Sequence, residues 1–274
     1  MSESSQNPNT LTGNPTHFQQ VGEFHLTFGH PLRTSFYYDA LSTDRKLADF
    51  RLSLMREELK EFQDAYEKND RVEMADALCD LLYVTYGAGH VLGIDLDQVD
   101  KNSGYDIKSA ILPIGKDGTE ISYFLGVVAG HLAQYNQYMD LNNFHTQNYF
   151  SAIELILRAL PKSKNDQIRK DLVFGNISGI LEQILYLTYG MGNSLNFNMD
   201  LMFREVHRSN MTKVCDNEDD AKASVEFYVK DGRYKDPQYR LQGKYYVIYD
   251  ASTSKILKNH RWENPNLKQF LTIP

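Results

Sequence analysis

Apolar residues recur at helical spacing through most of the chain. In 47–66 (LADFRLSLMREELKEFQDAY), Leu47, Phe50, Leu54, Met55, Leu59 and Phe62 fall three, four or one residue apart, the stripe of an amphipathic helix. Lys68, Asn69 and Asp70 interrupt it, and Asn69 or Asp70 is a candidate cap for a second helix from about Val72 to Leu92. So short a link makes the two helices antiparallel neighbours. Apart from its acids the second helix is mostly apolar or small (Met74, Ala75, Ala77, Leu78, Leu81, Leu82, Val84), so it is expected to be buried.

The pattern repeats. LLYVTYGAG at Leu81–Gly89 returns as ILYLTYGMG at Ile184–Gly192, an offset of 103. Phe124–Tyr135 matches Arg51–Phe62 in its apolar positions alone, at an offset of 73. Together these predict a duplicated helical pair, with 155–169 adding helix to the second copy, fused into one all-α bundle. After Lys213 the composition shifts to Val, Tyr and Ile. Ala223–Tyr239 and Gly243–Lys258 read as short strands or extended arms, with turns at Asp231-Gly232 and Ala251–Ser254 and a hairpin in KYYVIYDASTSKILK. The expected divisions are a disordered polar tail over 1–16, a first half over 17–108, a second half over 109–214 and a β-rich or extended arm over 215–274.

A chain of 274 residues can bury a core without staples. Its net charge of −7 and pI near 5.6 offer no basic field for nucleic acid. Cys79 and Cys215 alone make neither a disulfide framework nor a four-thiolate zinc site, and they suit a reducing cytoplasm. No signal segment or membrane span is expected, and no GxxxxGK[ST] loop occurs.

The acids change the picture. Glu57, Glu58 and Glu61 fall in one sector of the first helix; Glu73, Asp76 and Asp80 form one stripe of the second. Taken alone, the first three also fit a solvated face beside Arg56 and Lys60, and Glu73 fits a helix N-terminus. Asp76 and Asp80 interrupt an otherwise apolar helix that has no Lys or Arg from Glu73 to Tyr86, and an uncompensated buried charge is costly. Two acidic stripes across a helical hairpin suit a hard divalent cation, Mg²⁺ or Mn²⁺.

The spacing EELKE at Glu57–Glu61 followed by EMAD at Glu73–Asp76 resembles the EExxE and ExxD motifs of the all-α nucleoside triphosphate pyrophosphatases, the MazG-like and phosphoribosyl-ATP pyrophosphohydrolase-like superfamily. VGEFHLTFGHPLR (Val21–Arg33), ADALCDLLYVTYG (Ala75–Gly87) and FREVHRSNMTK (Phe203–Lys213) extend the resemblance over 18–213, with an echo in DGRYKDPQY (Asp231–Tyr239). The resemblance implies that Glu58, Glu61, Glu73 and Asp76 bind Mg²⁺, with Asp80 a further candidate ligand. It also implies that water attacks the α-phosphorus of a nucleoside triphosphate, giving a monophosphate and pyrophosphate, with Glu57 or Glu61 orienting or deprotonating that water.

The sequence departs from the family where about one hundred residues separate the second helix from SNMTK. In this insert Gly130, His131 and Gln134 stand for Glu57, Glu58 and Glu61, and Asn176, Gly179 and Gln183 for Glu73, Asp76 and Asp80. Asn210 and Lys213 follow the second copy, whereas Ile107 and Ala110 hold their places after the first. A fused pseudo-dimer with one composite site is therefore expected: acids from copy one, phosphate contacts from Asn210 and Lys213, with Arg208 and Lys235 as weaker candidates. The fused unit would be a monomer or pair into a homodimer. The N-terminal rings and imidazoles (Phe24, His25, Phe28, His30) are expected to pack on the bundle. The alternatives are a nucleotide-binding sensor of the same fold, a phosphoribosyl-ATP pyrophosphohydrolase, and a helical scaffold without ligand.

Overall fold

The computed structural model describes residues 14–41, 44–104, 106–112, 119–138, 162–253 and 255–271. Thr16 opens α1 (His17–Phe28) with a reciprocal cap: its hydroxyl accepts from the Gln19 amide, and the Gln19 side chain accepts from the Thr16 amide. Of the expected tail, 1–13 lies outside the described residues.

The two helices read from the apolar stripe are α2 (Arg45–Glu67) and α3 (Arg71–Leu92). The stripe of α2 buries Ala48, Leu52, Met55, Leu59, Phe62 and Ala65. Asp70, rather than Asn69, caps α3, its carboxylate accepting from the Val72 and Glu73 amides at 3.1 and 3.2 Å. Asn69 reverses the chain with φ 55°, a conformation asparagine tolerates better than most residues. Beyond α4 (Leu96–Ser103), α5 (Thr119–Tyr138) and α6 (Lys162–Ser194) complete the bundle: α2 packs on α3 and α5, and α6 on α3 and α5. In the expected helix at 155–169, the part from Lys162 belongs to α6, and 155–161 lies outside the described residues. Next, α7 (Met199–Met211) inserts Phe203 against Tyr83 and Tyr86. The fold is all-α with a short C-terminal strand arm.

Bonds around α3–α4 recur around α6–α7 at the offset of the sequence repeat. Thr85 Oγ1 donates to Leu81 O at 2.7 Å and Thr188 Oγ1 to Ile184 O at 2.6 Å. Ile94 N donates to Gly89 O, and Phe197 N to Gly192 O, both at 2.9 Å. Gly93 and Asn196 both take a left-handed φ, 70° and 59°. Asp95 caps the Gln98 amide as Asn198 caps that of Leu201, at 3.0 and 3.1 Å. A Cβ on Gly89 would strike Leu96, and one on Gly192 would strike Met199, so both helices need glycine to let the next element close on them. The hydroxyls of Tyr86 and Tyr189, 103 residues apart, bond to each other at 3.0 Å.

The C-terminal segment corrects the sequence reading. Most of the stretch expected as strand from Ala223 to Tyr239 is helix: α8 spans Glu218–Asp231. Asn217 caps it, Glu218, Asp219 and Asp220 fill the first turn, and Ala221, Ser224 and Tyr228 face inward at helical spacing. Cap, acidic first turn and period outweigh the β-propensity of Val225, Phe227 and Val229. Gly232, expected in a turn, is the left-handed end of this helix, φ 73°. A hairpin that the sequence reading did not name precedes the expected one: β1 (Pro237–Gln242) pairs with β2 (Tyr245–Asp250) across Gly243, φ 59°. After the turn at Ala251–Thr253 the chain returns along β2 as expected, with the bridge Tyr249 to Ile256 and with Asp250 N donating to Lys255 O and Leu257 N to Ile248 O, both at 2.9 Å. Cys215, Ala221, Tyr228, Ile248 and Leu257 form the local core.

The chain divides into two compact units, one of Leu32–Val206 with Asn266–Pro274, the other of Met1–Pro31 with His207–Pro265. Among the described residues no single helix is long and apolar enough to cross a membrane.

Candidate active site

Helix α2 presents Glu57, Glu58 and Glu61 and α3 presents Asp76 and Asp80, all within the unit that holds the bundle. Glu57 and Glu61 are exposed; Glu58, Asp76 and Asp80 are half-buried. Glu58 is the centre of the group. Its Oε2 is buried and makes no hydrogen bond among the described residues. Burial first, and then the neighbouring charges of Asp80, Glu61, Glu57 and Asp76, push its carboxyl up to about 9. Without a cation, then, Glu58 carries a proton at neutral pH.

Those same acids reach Cys79, whose thiol is raised well above its usual range by burial, with Asp80 and Asp76 adding to it. A buried thiol of this kind is inert. Glu73, exposed in the first turn of α3, is one turn before Asp76.

The group fits a hard cation in kind. Its donors are all carboxylate oxygens, and Glu58 Oε2 is a buried acceptor without a donor. Among the described residues no three His, Cys, Asp or Glu side chains already stand in a ligating array. Mutual repulsion among these carboxylates opposes their closer approach until a positive charge arrives.

The expected phosphate-binding residues belong to the other unit. Asn210 is buried, Lys213 half-buried, and Arg208 and Lys235 exposed. Arg208 pairs with Glu263. Lys213 sits in a tight turn, its amide donating to Asn210 O at 3.2 Å. The C-terminal segment braces this turn. Asn259 Nδ2 donates to the carbonyls of Thr212 and Val214, Ser209 Oγ donates to Glu263 O at 2.6 Å, and Cys215 pairs with Tyr246. In the same unit, Phe24 stacks on Phe28 and His30, and Arg240 donates to Phe28 O at 2.8 Å.

Residues 21–102 match the family described as phosphoribosyl-ATP pyrophosphohydrolase. An uncharacterized protein of Acanthamoeba polyphaga mimivirus is 33% identical over 263 residues, 93% of this chain and 96% of that protein. The chain belongs to this pyrophosphohydrolase family. The stretch matching the family takes in all six acids and ends before Asn210 and Lys213, whereas the likeness to the mimivirus protein extends over nearly the whole length of both chains. No solved structure matches the chain.

Sequence reading missed two features of the bundle. Arg51, seven residues before Glu58, is buried, and burial pulls its guanidinium down to about 10 while Tyr135 opposes the shift. A basic residue inside the apolar stripe of Ala48, Leu52 and Met55 was the available signal. The Tyr86–Tyr189 bond was the other; it was implicit in the offset of 103, which pairs the two tyrosines.

Proposed function

We propose that this pyrophosphohydrolase is a Mg²⁺- or Mn²⁺-dependent enzyme that cleaves nucleoside triphosphates between the α- and β-phosphates, acting in the cytoplasm as a fused pseudo-dimer, alone or paired as a homodimer. The observation that carries it is the convergence of four acids on Glu58, whose buried Oε2 lacks a donor. Glu58, Glu61, Glu73, Asp76 and Asp80 would hold the cation. When bound, it neutralises phosphate oxygens and lowers the pKa of water.

The chain's own groups do the rest. The carboxylate of Glu57 or Glu61, both exposed, orients the attacking water and takes its proton as the oxygen bonds to the α-phosphorus. The bond from that phosphorus to the bridging oxygen breaks, and pyrophosphate leaves with the electron pair. Asn210 supplies a neutral amide donor and Lys213 a point charge to the phosphates; Lys235 adds a weaker charge, as does Arg208 once released from Glu263.

Duplication accounts for the paired bonds at Thr85/Thr188, Ile94/Phe197 and Asp95/Asn198. In a two-fold arrangement equivalent residues meet on the axis, as Tyr86 and Tyr189 do. The segment that follows copy one bonds to the helix of copy two: Asn193 Nδ2 donates to Lys108 O and Ala110 O at 2.8 Å, and Ser194 Oγ to Leu112 O at 2.7 Å. Segment 209–215 follows copy two at the same offset, which supports its service to the acids of copy one.

The test is pyrophosphate release from ribo- and deoxynucleoside triphosphates and phosphoribosyl-ATP with Mg²⁺. Release is expected from at least one substrate. Glu58→Gln and Asp76→Asn should lower it by about a hundredfold or more, the order of losing one transition-state electrostatic contact, and Lys213→Ala should also reduce it. Nucleotide binding without product would replace the enzyme by a sensor. Turnover unaltered in a folded Lys213→Ala protein would eliminate the composite site.

A further inference from the structure

A cavity of about 470 Å³ opens on the bundle far along the sequence from the acids, lined by Asp106, Ser109, Ala110, Ile111, Gln183 and Tyr186. Its size lies within the range of about 300–1,000 Å³ for small-molecule sites. Its walls come from the segment after copy one and from α6 of copy two. At the repeat offset Gln183 stands where Asp80 stands, Tyr186 where Tyr83 stands, and Ala110 where Lys213 stands. The cavity is thus the counterpart, with the copies exchanged, of the composite site proposed above.

The exchange has altered its chemistry in a definite direction. The carboxylate of Asp80 is replaced by an amide, and the cation of Lys213 by a methyl group. Among the described residues no Lys or Arg lines the cavity, and Asp106 contributes a negative charge. The nearby Lys108 ammonium is engaged by Asp200 at 3.0 Å. A phosphate would meet repulsion from Asp106. The groups that remain suit an uncharged planar ligand carrying hydroxyls: the Gln183 amide has both a donor and an acceptor, the Ser109 hydroxyl, which donates to Asp106 O at 3.0 Å, can accept, the Tyr186 ring offers an apolar face, and the Asp106 carboxylate, whose Oδ1 accepts from the Lys108 amide at 3.0 Å, has a second oxygen to accept from sugar hydroxyls.

We propose that this cavity binds a nucleoside without a metal ion, as a second site that has lost catalysis and kept recognition. The proposal rests on the duplicated-pair reading above and not on turnover.

The experiment is calorimetric titration of the full chain in EDTA with adenosine, guanosine, cytidine, uridine and thymidine, on the native protein and on Gln183→Ala, Ser109→Trp and Glu58→Gln. One nucleoside is expected to bind at one per chain, about tenfold more weakly in Gln183→Ala and undetectably in Ser109→Trp, whose indole fills the cavity from an exposed position. Binding should be unchanged in Glu58→Gln. Circular dichroism confirms that each variant is folded, and pyrophosphate release in Gln183→Ala and Ser109→Trp should equal that of the native protein. The proposal is overturned if no nucleoside binds at about 1 mM, if both cavity variants bind as the native protein does, or if Glu58→Gln abolishes binding, which would put the ligand among the acids. Turnover without nucleoside binding removes this site and leaves the enzyme standing. Nucleoside binding sensitive to Gln183, without turnover, keeps this site and removes the enzyme.

Discussion

Glu58 concentrates the electrostatics of the bundle on one atom. Its carboxyl is half-buried among four acids and raised to about 9 by burial and then by their charge. Because the folded value lies above the unfolded one near 4.3, the folded chain holds a proton that the unfolded chain releases. Metal-free stability should therefore be greatest below about pH 4.3 as far as this group is concerned, and its contribution is lost as pH rises towards 9. Urea unfolding in EDTA across that window measures the slope. The neutral isostere Glu58→Gln should flatten it and leave the metal-free protein at least as stable as the native one at pH 8. A slope that survives this substitution would mean that another group carries the proton.

At the scale of helices, α3 and α6 are joined by two buried phenols. The Tyr86 and Tyr189 hydroxyls, 3.0 Å apart, satisfy each other. Removing one takes this buried hydrogen bond from the other, which costs about 1–3 kcal/mol; removing both costs less than the sum of the two single changes. Tyr86→Phe and Tyr189→Phe should each destabilise by that order, with the double variant recovering part of the loss, as denaturant midpoints would show. Simple additivity would mean that the two hydroxyls act independently and would weaken the two-fold reading.

For the whole molecule, a divalent ion that binds only the folded chain raises its stability by mass action, by about 2.7 kcal/mol at one hundred times the dissociation constant. Mg²⁺ should therefore raise the melting temperature of the native chain, and should do so far less for Glu58→Gln and Asp76→Asn. Lys213→Ala should keep the full Mg²⁺ shift while losing turnover, since its proposed partner is phosphate rather than metal. An equal Mg²⁺ shift in the native chain and Glu58→Gln would place the ion elsewhere.

Periodicity alone identified α2, α3 and the cap region between them, because a helix that buries one stripe must repeat its apolar residues at that spacing. It also put Glu57, Glu58 and Glu61 in one sector of α2 and Asp76 and Asp80 on one stripe of α3, and the order of the motifs pointed to the family. It failed at Glu218–Asp231, where Val, Phe and Tyr suggested strand and the deciding signals were the Asn217 cap and the inward spacing of Ala221, Ser224 and Tyr228. Spacing makes Glu57, Glu58 and Glu61 look alike, but packing buries Glu58 and leaves the other two in water. That distinction and the Gln183 cavity came only from tertiary structure, which also turned the pairing implicit in the offset of 103 into the Tyr86–Tyr189 bond. Burial, and the field of neighbouring charges that sets a proton's affinity, depend on distances between helices that no local pattern specifies.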